Sequence, residues 1–197
     1  MSKKGIFYVA FFVILVSVFY LVVRKWISRN DTISDVQPFS FINQDGKRFT
    51  NKDVEGKVYV AEFFYTTCKT VCPRMNENMR LVYDKFKDNP DFLILSHTST
   101  PDIDSASVLK RYADSLKIDT RHWVFLTGSK DSLYNAARIS YTVDDPLNNV
   151  QNPQDHFLHT QLWALVNKEG KVKKIYDGLK QSEAKAMIKQ ITKMLDQ

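Results

Sequence analysis

The chain has 197 residues, is 44% hydrophobic and 25% charged, and carries a net charge of +6. That balance excludes a disordered polymer and leaves room for one ordinary domain plus an anchor. Acids are interleaved with the lysines, as in Asp84-Lys85-Phe86-Lys87-Asp88, and no basic stripe alternates with aromatics, so nucleic acid is not an expected partner. Two cysteines are too few for a disulfide scaffold, and their closeness in sequence points to local chemistry.

Gly5 to Val23 contains no charged side chain. As a helix it covers roughly 28 Å at about 1.5 Å per residue, close to the hydrocarbon thickness of a bilayer. The run ends in Val22-Val23-Arg24-Lys25-Trp26 rather than in small residues, which favours a retained anchor over residues 1–27 against a cleaved signal peptide. Lys3 and Lys4 on one side face Arg24, Lys25 and Arg29 on the other, so charge leaves the orientation open. Residues 28–37 are polar and read as a tether, with the folded domain expected over residues 38–197.

Phe39 to Phe49 places apolar positions on both sides of Asp45-Gly46, the chemistry of a hairpin turn. Lys57 to Tyr65 is rich in β-branched and aromatic residues, as in a strand covered on both faces. From Pro73 to Phe86 the residues Met75, Met79, Val82 and Phe86 recur on one helical face. Helical spacing makes the two methionines core residues rather than soft metal ligands.

The alternation continues with strands at Phe92–Ser96 and Trp123–Leu126 and helices near Ser105–Leu116 and Ser129–Ala137. Between Val143 and His156 lies a long segment rich in breakers, of the kind that compact domains reserve for function or motion. Gln161–Val166 and Val172–Tyr176 flank Asn167-Lys168-Glu169-Gly170 as a hairpin, and Ser182–Leu195 closes the chain as an amphipathic helix. The fold class expected is α/β: a thioredoxin-like central mixed sheet flanked by helices, with an N-terminal β-hairpin and a preceding transmembrane helix.

Cys68-Lys69-Thr70-Val71-Cys72-Pro73 falls where a strand hands over to a helix. The positive end of the helix dipole there favours thiolate. If both cysteines lie on one helical turn, positions i and i+4 share a face and both sulfurs can meet one ion. Chelation is then as natural as disulfide exchange. Two thiolates with one imidazole suit copper, Cu(I) in particular, whereas zinc ordinarily takes a fourth ligand. Of His97, His122, His156 and His159, the last opens the strand after the long segment, a point that lies beside the cysteine loop in a thioredoxin-like sheet. His122 reads as surface, His97 as a strand end able to line the cleft, and His156 as a loop residue.

Several segments carry a resemblance to one family. Phe63-Phe64-Tyr65-Thr66-Thr67-Cys68-Lys69-Thr70-Val71-Cys72-Pro73 resembles the strand and T-x-C-x-x-x-C-P of the Sco/SenC family. Pro101-Asp102-Ile103-Asp104 resembles its D-P-x-x-D segment, Trp123-Val124-Phe125-Leu126-Thr127-Gly128 its W-x-F-L-T-G strand, and His159-Thr160 its histidine strand. The match covers roughly residues 38 to 196. Lys69 and Thr70 stand where many relatives have Pro and Asp, Thr100 replaces the first acid of the D-P-x-x-D segment, and Leu158 replaces Asp before the histidine.

The resemblance implies copper held by Cys68, Cys72 and His159. It implies delivery of that copper to the binuclear copper site of a cytochrome c oxidase subunit, or reduction of that subunit's cysteines with a thiol reductase as a further partner. The domain would face the periplasm or, in a mitochondrion, the intermembrane space. The alternatives from the residues alone are a membrane-tethered thiol-disulfide oxidoreductase or thiol peroxidase using Cys68 and Cys72 without metal, and a redox or copper sensor.

Overall fold

The structure is a computed structural model that describes residues 3–30, 32–144 and 160–196. His156, Leu158 and His159 lie outside the described residues. Contacts divide the chain into two units at Thr32/Ile33. The first unit is helix α1, Lys3–Asn30, whose stretch Lys4–Val23 is long and apolar enough to cross a membrane. Large side chains from Ile6 to Val22 are exposed all around it, so no protein core among the described residues covers them.

The second unit is built on one eight-stranded mixed sheet. Its strands are β1 (Ser34–Asp35), β2 (Ser40–Asn43), β3 (Arg48–Thr50), β4 (Val58–Phe64), β5 (Phe92–Thr98), β6 (Trp123–Thr127), β7 (Leu162–Val166) and β8 (Lys171–Asp177), in the spatial order β1-β8-β7-β4-β5-β6-β2-β3. β4, β5 and β6 are parallel at the centre, and β7 and β8 extend the sheet antiparallel on one side. The helices are α2 (Val71–Phe86), α3 (Ala106–Leu116), α4 (Lys130–Asn135) and α5 (Gln181–Leu195). The thioredoxin-like architecture expected from the strand and helix rhythm is the one observed.

Alternation in β4 makes the two cores. Val58, Val60 and Phe64 face a cluster with Met75, Met79, Val82 and Phe86 of α2, Leu109 and Ala113 of α3 and Met187 and Ile191 of α5. Tyr59, Ala61 and Phe63 face the opposite cluster with Phe41, Phe49, Leu133, Ala137 and Tyr141. A strand covered on both faces loses water from every side chain, and all seven β4 residues are buried. Gly178, just after β8, lies against the indole of Trp163, where an added Cβ would meet ring atoms at 2.5 Å.

Three local departures from the sequence expectation have physical causes. Ser34–Asp35, in the polar segment taken as tether, pairs antiparallel with Val172 and Lys171 as an edge strand, a role for which backbone groups suffice. α4 passes into a π-helical turn at Ala136–Ser140, which ends where Ser140 turns to bond Ser34 and Gln37. β5 runs on to Thr98, so His97 is an interior residue with no exposure, stacked on Phe63 and edge-on to Phe41.

His97 and Glu62 lie on adjacent strands and point to opposite faces, and both are buried. Burial pulls the His97 pKa down to about 4 from 6.5 and pushes that of Glu62 up to about 7 from 4.5. Below pH 6.5 the unfolded chain takes up the His97 proton that the folded chain refuses, so stability falls with falling pH until about 4. Above pH 4.5 the unfolded chain releases the Glu62 proton that the folded chain keeps, so stability falls with rising pH until about 7. The slopes oppose between 4.5 and 6.5. Glu62→Gln should therefore hold more stability than the parent at pH 7.5, by up to about 3 kcal/mol at the conversion of roughly 1.4 kcal/mol per pKa unit. Its stability should also climb between pH 4.5 and 6.5, where the parent's stays level; urea melts across this range check both.

Candidate metal centre

Cys68 lies in the turn between β4 and α2 and Cys72 in the first turn of α2, at the end of the sheet where the parallel strands finish. Neither is in a disulfide; Cys68 is half-buried and Cys72 buried. Only Cys72 is helical. Cys68 stands before the helix, yet its sulfur folds back to accept the Cys72 backbone N–H at 3.3 Å. An N-terminal N–H that has no partner within the helix thus finds a sulfur, in the manner of a side-chain cap. The sulfurs converge through this cap, not through a shared helical turn. Pro73, at the third helical position, has no N–H to leave unpaired.

This geometry separates the two thiols. Burial works against ionisation of Cys68, but hydrogen bonds from the Cys72 thiol, from the backbone of Cys72 and Thr70 and from Tyr65 outweigh it, bringing Cys68 down to about 7. Burial, and then the thiol's own bond toward Cys68, push Cys72 up to about 12. Cys68 is thus the ready thiolate, and Cys72 becomes one only when something replaces its proton. Tyr65, which the sequence did not single out, bonds Cys68, and that bond comes first among the causes raising its own pKa.

The turn is held from the side by Asp104. Its carboxylate, with no exposure, accepts the backbone N–H of Thr66 at 3.1 Å, the Thr66 hydroxyl, the Thr98 hydroxyl at 2.6 Å and the Thr100 hydroxyl at 3.0 Å. A buried carboxylate survives when its lone pairs are filled this way. Thr100, which stands where the family pattern has an acid, is a donor here; an ionised acid in its place would have no proton to give.

Below the turn, Glu62 faces the same cluster as Cys72. Its Oε1 accepts the Ser96 hydroxyl at 2.5 Å, Ser96 accepts the Trp123 indole N–H at 2.7 Å, and Oε2 has no partner among the described residues. Glu62 was not singled out from the sequence, although an acid inside the apolar run Val58–Phe64 is a signal that could have found it.

Of the histidines, His97 lies on the far face of the sheet between aromatic rings, and His122 precedes β6 at the end of the sheet away from the cysteines. Among the described residues no third His, Cys, Asp or Glu joins Cys68 and Cys72 in a metal-holding group. Thr160, the residue after His159, leads into β7, whose Leu162 pairs with Asp177 at the cysteine end of the sheet. Met75 and Met79 are core residues, at 2% and 0% exposure. Two free sulfurs brought together at a helix N-terminus form a soft donor pair that fits a thiophilic ion.

Two measurements follow. Iodoacetamide should modify Cys68 with a half-maximal rate near pH 7, whereas in Cys68→Ser the remaining thiol, still buried though freed of its bond toward Cys68, should need a clearly higher pH. Asp104→Ala leaves three hydroxyls and the Thr66 N–H to find new acceptors and should cost roughly 2–4 kcal/mol in a urea melt, with Asp104→Asn recovering part of it.

Comparison with known proteins places the chain. The SCO1/SenC family pattern matches residues 28–196. The SCO1 protein homolog of Bacillus subtilis is 34% identical over 149 residues, 74% of this chain and 75% of that protein. The structure of BsSco, described as a member of the Sco family of cytochrome c oxidase assembly proteins with a disulfide switch, superposes with a TM-score of 0.70 at 30% identity, covering 83% of this chain and 95% of that one. Arabidopsis thaliana ScoI with copper bound superposes at 0.64 and 25% identity, covering 81% and 99%. The chain, with its paired cysteines at the head of α2, belongs to the SCO1/SenC family.

Proposed function

We propose that the protein is a membrane-anchored copper carrier in which Cys68, Cys72 and His159 hold one copper ion and pass it to the binuclear copper site of cytochrome c oxidase, or keep that site's cysteines reduced. The observation that carries the proposal is the convergence of the two free sulfurs over the first turn of α2, with the Cys72 N–H on the Cys68 sulfur at 3.3 Å. The copper-bound Arabidopsis relative and the oxidase-assembly role given for BsSco support the cargo and the client. Helix α1 supplies the anchor, with the folded domain in the periplasm or the intermembrane space, where an oxidase copper site is reached.

The chain's own residues divide the work. Cys68 meets the incoming ion as a thiolate, Cys72 exchanges its proton for the ion, and His159 supplies a nitrogen that limits the site to three ligands. A client with more thiolates can then take the ion by stepwise replacement of one sulfur at a time. Exchange with a partner disulfide, which takes up two electrons and two protons and becomes a dithiol, would close a Cys68–Cys72 disulfide and leave no thiolate for the ion, which couples retention to redox state.

One observation favours a second function at the same cysteines. Cys68 stands half in solvent at the helix N-terminus with its thiol lowered, while Cys72 is buried with its thiol raised, the division between an attacking and a resolving cysteine, and this supports thiol-disulfide exchange without metal. Copper titration of the reduced full chain, beside Cys68→Ser, Cys72→Ser and His159→Ala, separates the two. The carrier binds one copper per chain with sulfur and imidazole ligation and loses it in each variant. Copper retained by two of the three variants sinks the three-ligand site, and rapid turnover of a disulfide substrate by metal-free protein would establish the exchange chemistry.

A further inference from the structure

The surface around Cys68 is not neutral ground. Lys69, between the cysteines, is exposed, and no hydrogen bond or ion pair engages it among the described residues. Val71, two residues on, is 39% exposed although it begins a helix whose other large apolar residues are mostly covered. Ile103, 56% exposed, is held to the same turn because its neighbour Asp104 bonds Thr66. Among the described residues of the folded unit, few large apolar side chains are this exposed; Val71 lies between the two cysteines in sequence, and Ile103 adjoins the Asp104 that bonds Thr66, two residues before Cys68.

The neighbouring charges are Arg74, exposed on the first turn of α2 and without an ion pair among the described residues, Asp102 beside Ile103, and Glu77 a further turn along α2. Neither acid makes an ion pair with Lys69 or Arg74. Among the described residues, then, the cation nearest in sequence to the reacting sulfur has no partner.

We propose that Lys69 and Val71 form a recognition edge that selects clients whose cysteine is flanked by a carboxylate and an apolar residue. The proposal rests on the reading above that the Cys68 sulfur meets a client sulfur. In such an encounter the residue next to the client's cysteine lies about one Cα spacing, roughly 3.8 Å, along its chain, which brings it opposite Lys69 while Val71 and Ile103 cover its apolar neighbour. Charge at the rim of a contact acts on the rate of encounter and on the choice of partner, and salt screens it over about 8 Å at physiological ionic strength.

The test uses the reduced, copper-free full chain in nonionic detergent and two short peptides, each with Leu on one side of a cysteine and either Asp or Lys on the other, the cysteine carried as its thionitrobenzoate mixed disulfide. The Cys68 thiolate attacks the peptide sulfur, the peptide–thionitrobenzoate bond breaks, and the coloured thiolate leaves with the electron pair. Cys68 is thereby oxidised and thionitrobenzoate reduced. Each rate is divided by that of free cysteine on the same peptide, which removes the peptide's intrinsic reactivity.

The Asp peptide should react roughly three to five times faster than the Lys peptide at low salt, with the ratio falling toward one in about 0.5 M salt. Lys69→Glu should invert the ratio, a readout that a general change in the reactivity of Cys68 leaves untouched. Val71→Ser should slow both peptides together. A ratio near one in the parent, or an unchanged ratio in Lys69→Glu, overturns the proposal. So do rates for both peptides that fall together as protein concentration rises, since a second copy would then be covering Val71 and Ile103. Because no metal takes part, failure here leaves the copper-binding result standing, and failure of copper binding leaves this one standing.

Discussion

The carboxylate of Asp104 is the point on which the site turns. β4 and β5 are parallel and finish level, Phe64 opposite Thr98, and each strand end must hand its chain to a loop that leaves the sheet. Asp104 gathers donors from both exits: Thr66 from the first, Thr98 and Thr100 from the second. A buried charge with four donors is tolerated in an apolar surrounding, and it is intolerant of losing them. The cysteine turn is therefore tied to the sheet two residues before Cys68.

From that fixed start, one helix terminus sets two unlike sulfurs. The first N–H groups of α2 lack acceptors within the helix, and the Cys68 sulfur supplies one of them. Stabilising negative charge on Cys68 in this way also aims the Cys72 thiol at it, so the features that lower one pKa contribute to raising the other. Burial adds to the difference, because Cys72 faces the core with Met75 and Phe64 while Cys68 stands half in solvent. The asymmetry belongs to the N-terminus of a helix packed on a sheet. It serves ligand exchange and thiol exchange alike, since both start with one accessible thiolate and finish with a second that was held back.

Much of this was legible in the sequence because it rests on periodicity. The β-branched and aromatic run of β4, the stripe of Met75, Met79, Val82 and Phe86, and the hairpin around Asn167–Gly170 each repeat at the spacing of the element they form. The cysteine turn and its place before α2 were legible as well. Features that depend on what the chain meets in three dimensions were not: the edge strand at Ser34–Asp35 is recruited by the backbone of β8, and the π-helical turn at Ala136–Ser140 answers to Ser34 and Gln37 from far away in the chain. His97 was placed at a strand end because polarity argues for a surface, whereas three aromatic rings accept its neutral ring in the interior. Convergence of the sulfurs was expected from i, i+4 geometry and arises from capping, which spacing alone does not separate.

The register also explains why the chemistry stands where it does. The folded unit begins at Ile33, whose N–H bonds Val172, and β1 then pairs along the start of β8. β8 runs from there to Asp177, opposite Leu162, so the chain enters at one end of the sheet and the cysteine turn lies at the other. Parallel strands direct their carboxyl ends, and the N-termini of the helices that follow them, to a single side, which makes that side the one where helix dipoles and loops can meet a ligand. An entering segment at the same end would compete for that space. With β1 paired at the opposite end, the loops after β4, β5 and β8 reach the side of the sheet on which Cys68 stands.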